Sequence, residues 1–283
     1  MWYNVDMAAF ITHELIAGEV FDALSEEEKE KIRCVSAFYA GAQGGDCFFL
    51  YRPLSGNKNN LGRLMHRKKI YSFFCAAKDY AEKTGDYSYI FGYITHYAAD
   101  TIFHPFVYAT EYRLLSTLKK QRKKDKVHFL IERDIDAFLY EKFGKNRNIS
   151  REIDEQGVAC AYGLLRYAAE KAYGITVNKN ALRRALKRFF RQQSYLADPD
   201  GTRRKRVFAL ERKLHLRHFF SYMFLRRNPD VQFEVLRCGD EEKSVYRLYD
   251  EAKEKSLFLI RAFLRGDKPD KNDFSADFNK GKK

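Results

Sequence analysis

The fifteen residues from Gly92 to Phe106, GYITHYAADTIFHPF, constrain this chain more than any other stretch. His96, Asp100 and His104 recur every four residues, and at about 100° per residue a helix holds them on one slowly drifting face. Tyr93, Ile94, Tyr97, Ile102 and Phe103 lie between and around them. A helix so apolar on its other sides has to be buried, which turns the polar face into a core or a cleft. Two imidazoles and a carboxylate converging there form a divalent-metal half-site, with zinc the first choice for mixed nitrogen and oxygen ligands. Two core histidines satisfied by a buried Asp would give the same pattern. Taken alone, the segment admits both readings.

Helical periodicity dominates the remainder. Helices are expected over residues 5–24, from Ser25 to about Ala40, and over 61–83, 87–117, 127–143, 151–172, 178–196, 203–227 and 240–265. Ser25 followed by three glutamates is an N-terminal signature for the second of these, with Ser capping and the acids at the positive end of the dipole. The glycine-rich connection from Gly41 to Asn60 delivers one carboxylate, Asp46. Glycines let backbone approach a ligand closely, so this loop can bring Asp46 into a site, although a turn Asp is the commoner occupant of such loops. The expectation is an all-α bundle around a metal cluster, with additional C-terminal helices. Residues 1–149 form the metal-binding core, residues 150–265 a basic helical extension packed on it, and the tail from Gly266 to Lys283 is disordered.

With 45% hydrophobic and 16% aromatic residues in 283, the chain is globular. Its longest apolar runs, such as Ala37–Ala42 and Cys47–Tyr51, fall far short of the ~20 residues a membrane span requires. The opening MWYNVDMAAFITHE has no basic region before Asp6 and Glu14, unlike a signal peptide, so a cytoplasmic protein is expected, with peripheral membrane contact as an option. Cys34, Cys47, Cys75, Cys160 and Cys238 are odd in number and never spaced CxxC. They read as reduced thiols in a core. The formal charge of +14 is lopsided: residues 1–149 hold 22 Lys/Arg against 19 Asp/Glu, and residues 150–283 hold 30 against 19. The basic stretches at 181–191 and 202–213 suit an anionic membrane surface or nucleic acid, or are simply solvated helix faces.

The histidines decide between metal and core. His13, His66, His96, His104 and His128 all lie in the first 128 residues, in apolar or site-like settings, and Asp46, Asp100 and Glu132 accompany them. His128 and Glu132 repeat the one-turn spacing of His96 and Asp100. Five separately satisfied core imidazoles are a poorer explanation than one metal centre. Glu14, next to His13, is a second, weaker candidate base, set against the commoner expectation that a helix glutamate faces solvent. His215 and His218 stand among Arg212, Lys213 and Arg217, a poor setting for a cation, and are expected at the surface. Phe48, Phe49, Tyr51, Phe91, Tyr97 and Phe106 are expected in the core or at an apolar entrance.

The ordered set resembles the zinc-dependent phospholipase C family, the α-helical group that includes bacterial phosphatidylcholine-hydrolysing enzymes and the alpha-toxin catalytic domain, and is more similar to its cytoplasmic members. The resemblance rests on Thr12-His13, G-x-x-G-G-D ending at Asp46, Met65-His66, H-Y-x-x-D-x-x-x-H-P from His96 to Pro105, and H-x-x-x-E from His128 to Glu132, over about residues 8–140. It implies two or three zinc ions: one on Asp46, His66, His96 and Asp100, a second on His104, His128 and Glu132, and a third on His13 with Asp100 bridging. It further implies hydrolysis of a phosphodiester by a metal-activated water, with Asp46 as candidate base and a phospholipid headgroup as one substrate. The alternatives are a zinc-dependent nuclease of the same fold and a non-enzymatic, zinc-stabilised binding protein.

Overall fold

The structure, a computed structural model, describes residues 10–49, 60–117, 124–144, 147, 149, 152–198, 200–216, 220–225 and 245–278. Among these residues there are twelve α-helices and no strand, as the periodicity predicts. In order they are α1 (Phe10–Ala23), α2 (Glu26–Glu30), α3 (Val35–Ala42), α4 (Leu61–Arg67), α5 (Ile70–Thr84), α6 (Ser88–Thr117), α7 (Lys124–Leu139), α8 (Glu155–Tyr173), α9 (Lys179–Ala197), α10 (Thr202–Lys213), α11 (Val245–Leu264) and α12 (Lys271–Phe274).

The central helix is α6, packed by α3, α11, α7, α1, α8 and α5. It can lie at the middle because its apolar residues do not segregate to one side: Tyr89, Phe91, Tyr93, Ile94, Tyr97, Ala98 and Phe103 are all buried. The crossing with α3 is close enough to demand glycine. A Cβ on Gly92 would stand 1.8 Å from the Phe38 carbonyl oxygen, and one on Gly41 would stand 2.1 Å from that of Tyr89. Pro105 lies inside α6, where it withholds an N–H from the Thr101 carbonyl.

Two expected helices are each broken in two. The segment after Ser25, with its capping box intact, stops at Glu30 and restarts at Val35. The break is tied to the start of α6: Tyr87 N–H donates to the Lys31 carbonyl at 3.0 Å, and Cys34 N–H donates to Ser88 Oγ at 2.9 Å. Residues 61–83 divide at Lys68 and Lys69, the latter in the left-handed region at φ 50°. The helix expected over 203–227 ends at Lys213, with His215 at φ 51°. Beyond Leu139, α7 continues as a π turn, Tyr140–Gly144.

The largest correction concerns the tail. Residues 266–278 are docked, not disordered; residues 279–283 lie outside the described residues. Lys78, only 1% exposed, donates from Nζ to the carbonyls of Phe263 (2.5 Å) and Arg265 (3.1 Å), closing the C-terminus of α11 where orphan carbonyls and the helix dipole favour a cation. Asp270 caps α12. Phe274 and Phe278 are both fully buried, Phe274 at 4.7 Å from Phe74 and Phe278 at 4.9 Å from Tyr97, ring centre to ring centre. The Tyr97 hydroxyl donates to the Asp273 carbonyl (3.1 Å) and accepts from Ala276 N–H (2.9 Å). Terminal segments fray unless tied down, and here two phenylalanines and one tyrosine hydroxyl hold the segment.

Candidate metal centre

Five elements bring eight side chains to one place. On α1, Thr12 donates from both its backbone N and its Oγ1 to Asp136 Oδ1 on α7, at 2.8 Å each, which fixes the rotation of α1 and aims His13 inward. Asp46 opens a short 3-10 turn, Asp46–Phe48, after α3. That turn needs its glycines. Gly44 has φ +52°, and a Cβ there would lie 2.0 Å from His96 Cδ2; one on Gly45 would lie 2.5 Å from His66 Cε1. His66 comes from α4, His96, Asp100 and His104 from α6, and His128 and Glu132 from α7. None of the eight is more than 7% exposed.

Their reactive atoms converge. His66 Nε2 stands 3.2 Å from His96 Nε2, 3.2 Å from Asp46 Oδ1 and 3.7 Å from Asp100 Oδ2. Asp100 faces two ways: Oδ1 is 3.4 Å from His13 Nε2, and Oδ2 is 3.5 Å from His96 Nε2. One turn along, Glu132 Oε1 lies 3.0 Å from His128 Nε2 and 3.7 Å from His104 Nε2. Three sets of ligand atoms each fall within 4.8 Å: His13, His96 and Asp100; Asp46, His66 and His96; and His104, His128 and Glu132. His96 thus belongs to two sets, and the carboxylate of Asp100 spans them.

The donor set fits divalent cations. Buried polar atoms normally find partners, yet Asp46 Oδ2 and Glu132 Oε2, carboxylate oxygens of the cluster, have none among the described residues. Protonation follows the same logic. Burial pushes His96 well below the usual imidazole range, which leaves it neutral, the form that ligates. Burial alone would raise Asp100, but His96, His104 and His13 together outweigh it and hold the carboxyl far below its ordinary value. Glu132 is likewise held down at about 2 against its burial, by His128 and His104. Asp46 goes the other way, raised by burial that His66 only partly offsets. Packing anionic carboxylates and facing imidazole nitrogens in a dry site is costly without a cation, and nitrogen and oxygen donors without thiolate suit zinc.

A sequence profile described as zinc dependent phospholipase C matches residues 12–197, which include all eight side chains. The chain belongs to the zinc-dependent phospholipase C family. The family's chemistry is hydrolysis of a phosphoester, and its metal is zinc. No curated protein and no solved structure was found to match the chain.

In this family member, several contributors had not been singled out from the sequence. Glu111, buried, stands seven residues after His104 on α6, and its Oε2 lies 3.2 Å from His128 Nδ1. A carboxylate behind a ligating imidazole orients the ring and raises its basicity. The i, i+7 spacing from His104 was the available signal. His66 Nδ1 meets the Gly62 carbonyl at 2.7 Å, and His104 Nδ1 meets that of Phe278. A carbonyl only accepts, so both nitrogens carry hydrogen and both rings offer Nε2 to the centre. Nothing in a side-chain pattern announces either contact.

Other expectations divide. Glu14 is buried, not solvent-facing, because α1 is buried nearly all round. Phe49 stacks on His66 with ring centres 5.3 Å apart and lines the cleft that opens onto the ligands, whereas Phe48, Phe91 and Tyr97 are core. Phe106 packs half-buried against the core. Tyr51, Cys238 and His218 lie outside the described residues. His215 is exposed just beyond α10. Among the described residues no helix is long and apolar enough to cross a membrane.

Proposed function

We propose that the chain is a zinc-dependent phosphodiester hydrolase of phospholipase C type, with two or three ions held by His13, Asp46, His66, His96, Asp100, His104, His128 and Glu132. The observation that carries this reading is the opening of the buried ligand set: Asp46, His66, Asp100, His104, His128 and Glu132 also line a cleft to the surface. Structural zinc is enclosed by its ligands, while a catalytic centre keeps a face for substrate. When bound, zinc supplies Lewis acidity to phosphate oxygens and lowers the pKa of an attacking water.

The protein's own groups do the rest. Asp100 links two parts of the cluster through its two oxygens, and Glu111 and the Gly62 and Phe278 carbonyls fix the tilt of three imidazoles. Asp46 has one oxygen toward His66, while Oδ2 has no partner among the described residues. From its place in the cleft lining it can take the proton of the attacking water, a general-base role that requires a carboxylate within hydrogen-bond reach. Phe49 and Tyr108 form an apolar border to the same cleft.

Elemental analysis of the purified protein, with hydrolysis of bis(p-nitrophenyl) phosphate measured on the same sample, tests the proposal. Two to three equivalents of zinc with turnover are expected, and Asp46→Asn should retain zinc at His104, His128 and Glu132 while losing turnover. Zinc-replete protein without hydrolysis of any phosphodiester would reject the enzymatic reading.

A further inference from the structure

The cleft over the metal centre carries a charge pattern that the ligand set does not require. Its enclosed part is only about 30 Å³, room for a water or two. Most of any substrate therefore lies at the mouth. Two guanidinium groups stand there, Arg63 and Arg67. They are one turn apart on α4, on either side of His66, so a single helical ridge presents cation, ligand, cation to the opening. Arg63 is half-buried and Arg67 exposed. By contrast, among the described residues every carboxylate in the cleft lining belongs to the candidate ligand set: Asp46, Asp100 and Glu132.

The neighbouring sequence repeats the asymmetry. From Cys47 to Arg67 there is no Asp or Glu at all, while Arg52, Lys58, Arg63 and Arg67 are basic. A quaternary ammonium or amine headgroup is recognised by carboxylates and by cation–π contact. Of those, the described residues of this mouth offer the rings of Phe49 and Tyr108, set beside two positive charges.

We infer that the substrate of this centre is an anionic phosphoester carrying a further negative group next to the scissile phosphodiester, bound by Arg63 and Arg67, and not a choline-type ester. The inference rests on the hydrolase reading above. Guanidinium groups match phosphate and carboxylate oxygens in paired, planar geometry and stay charged at any working pH. Two on one turn match one small additional anion; they do not track a polymer strand.

Short-chain phosphatidylinositol 4-phosphate, short-chain phosphatidylcholine, deacylated glycerophosphoinositol 4-phosphate and an oligothymidylate, each given to the zinc-loaded protein, test this. Bis(p-nitrophenyl) phosphate serves as the reference diester. The anionic ester should exceed the choline ester in kcat/KM by at least about tenfold, the scale of one charge-assisted contact. Arg63→Gln with Arg67→Gln should erase that preference mainly through KM, with the anionic ester losing at least about tenfold more kcat/KM than the choline ester, and leave the zinc content unchanged. Equal use of the diacyl and deacylated esters would assign the anion to a soluble substrate; preference for the diacyl form would assign it to a lipid. Either supports the inference. Equal or better use of the choline ester, preferential cleavage of the oligonucleotide, or a double variant with unaltered selectivity would each overturn it. Failure to hydrolyse even the reference diester would instead reject the hydrolase reading itself.

Discussion

The α6–α7 pair and the α9–α10 pair are both rich in charge, and they use it in opposite ways. On α6 and α7 the carboxylates at the site are buried: Asp100, Glu111, Glu132 and Asp136 are at most 4% exposed, each facing a named partner. From Lys179 to Lys213, spanning α9 and α10, there are 12 Lys/Arg against 3 Asp/Glu. There the Lys and Arg side chains are solvated or half-buried, and Arg183 (2.6 Å) and Lys187 reach across to the exposed Glu155 of α8, although Asp198 and Glu211 are themselves buried. Formal charge describes the second region, while placement describes the first. The net charge of the chain says nothing about where its chemistry lies.

The contrast can be broken most sharply at Asp100. Asp100→Ala removes the carboxylate that spans two ligand sets, and hydrolysis should fall by at least about a thousandfold with loss of bound zinc, measured by phosphodiester turnover and elemental analysis. Retained zinc and retained turnover would move the centre elsewhere. Next comes the C-terminal segment. A chain ending at Arg265 loses the carbonyl that fixes His104, so zinc affinity should drop about 10- to 100-fold in a competitive chelator titration. Phe278→Ala keeps that carbonyl but empties a buried ring site. It should cost about 3–5 kcal/mol in denaturant unfolding, with a smaller effect on zinc. Asp136→Ala deprives Thr12 of two hydrogen bonds, for an expected loss of about 2–3 kcal/mol by the same measurement. The smallest effect belongs to the basic pair. Neutralising Arg183, Arg184, Arg203 and Arg204 together should shift Tm by less than about 3 °C. The same change should weaken binding to anionic vesicles in a salt-dependent manner. Vesicle binding indifferent to both the substitutions and salt would make α9 and α10 no more than solvated faces.

The two regions also differ in how far they could be read in advance. The sites on α6 and α7 were legible because helical periodicity converts a four-residue spacing into a shared face, and the structure brings His96, Asp100, His104, His128 and Glu132 together. Asp46 was legible through its glycines, which Gly44 and Gly45 explain by their approach to His96 and His66. The helix breaks at Lys31–Cys34 and Lys68–Lys69 were not, since no Gly or Pro marks them and the apolar pattern runs across. The first exists because distant groups bind the freed backbone, Ser88 Oγ at Cys34 and Tyr87 N–H at Lys31; the second is marked by Lys69 in the left-handed region. The tail departs from the expectation of disorder because termini fray only when nothing anchors them, whereas Phe274 and Phe278 are buried in the core. A backbone carbonyl behind His104 leaves no trace in any side-chain pattern.

The contact between His104 and Phe278 has a consequence in time. A chain emerges from the ribosome at about 5–20 residues per second. His13 is among the first ligands made and His128 and Glu132 the last, yet the carbonyl that sets His104 follows them by some 146 residues. A growing chain therefore holds all eight ligands for several seconds before the ring at position 104 is fixed. Tight zinc capture is expected only after Phe278 has been made and has docked against His104.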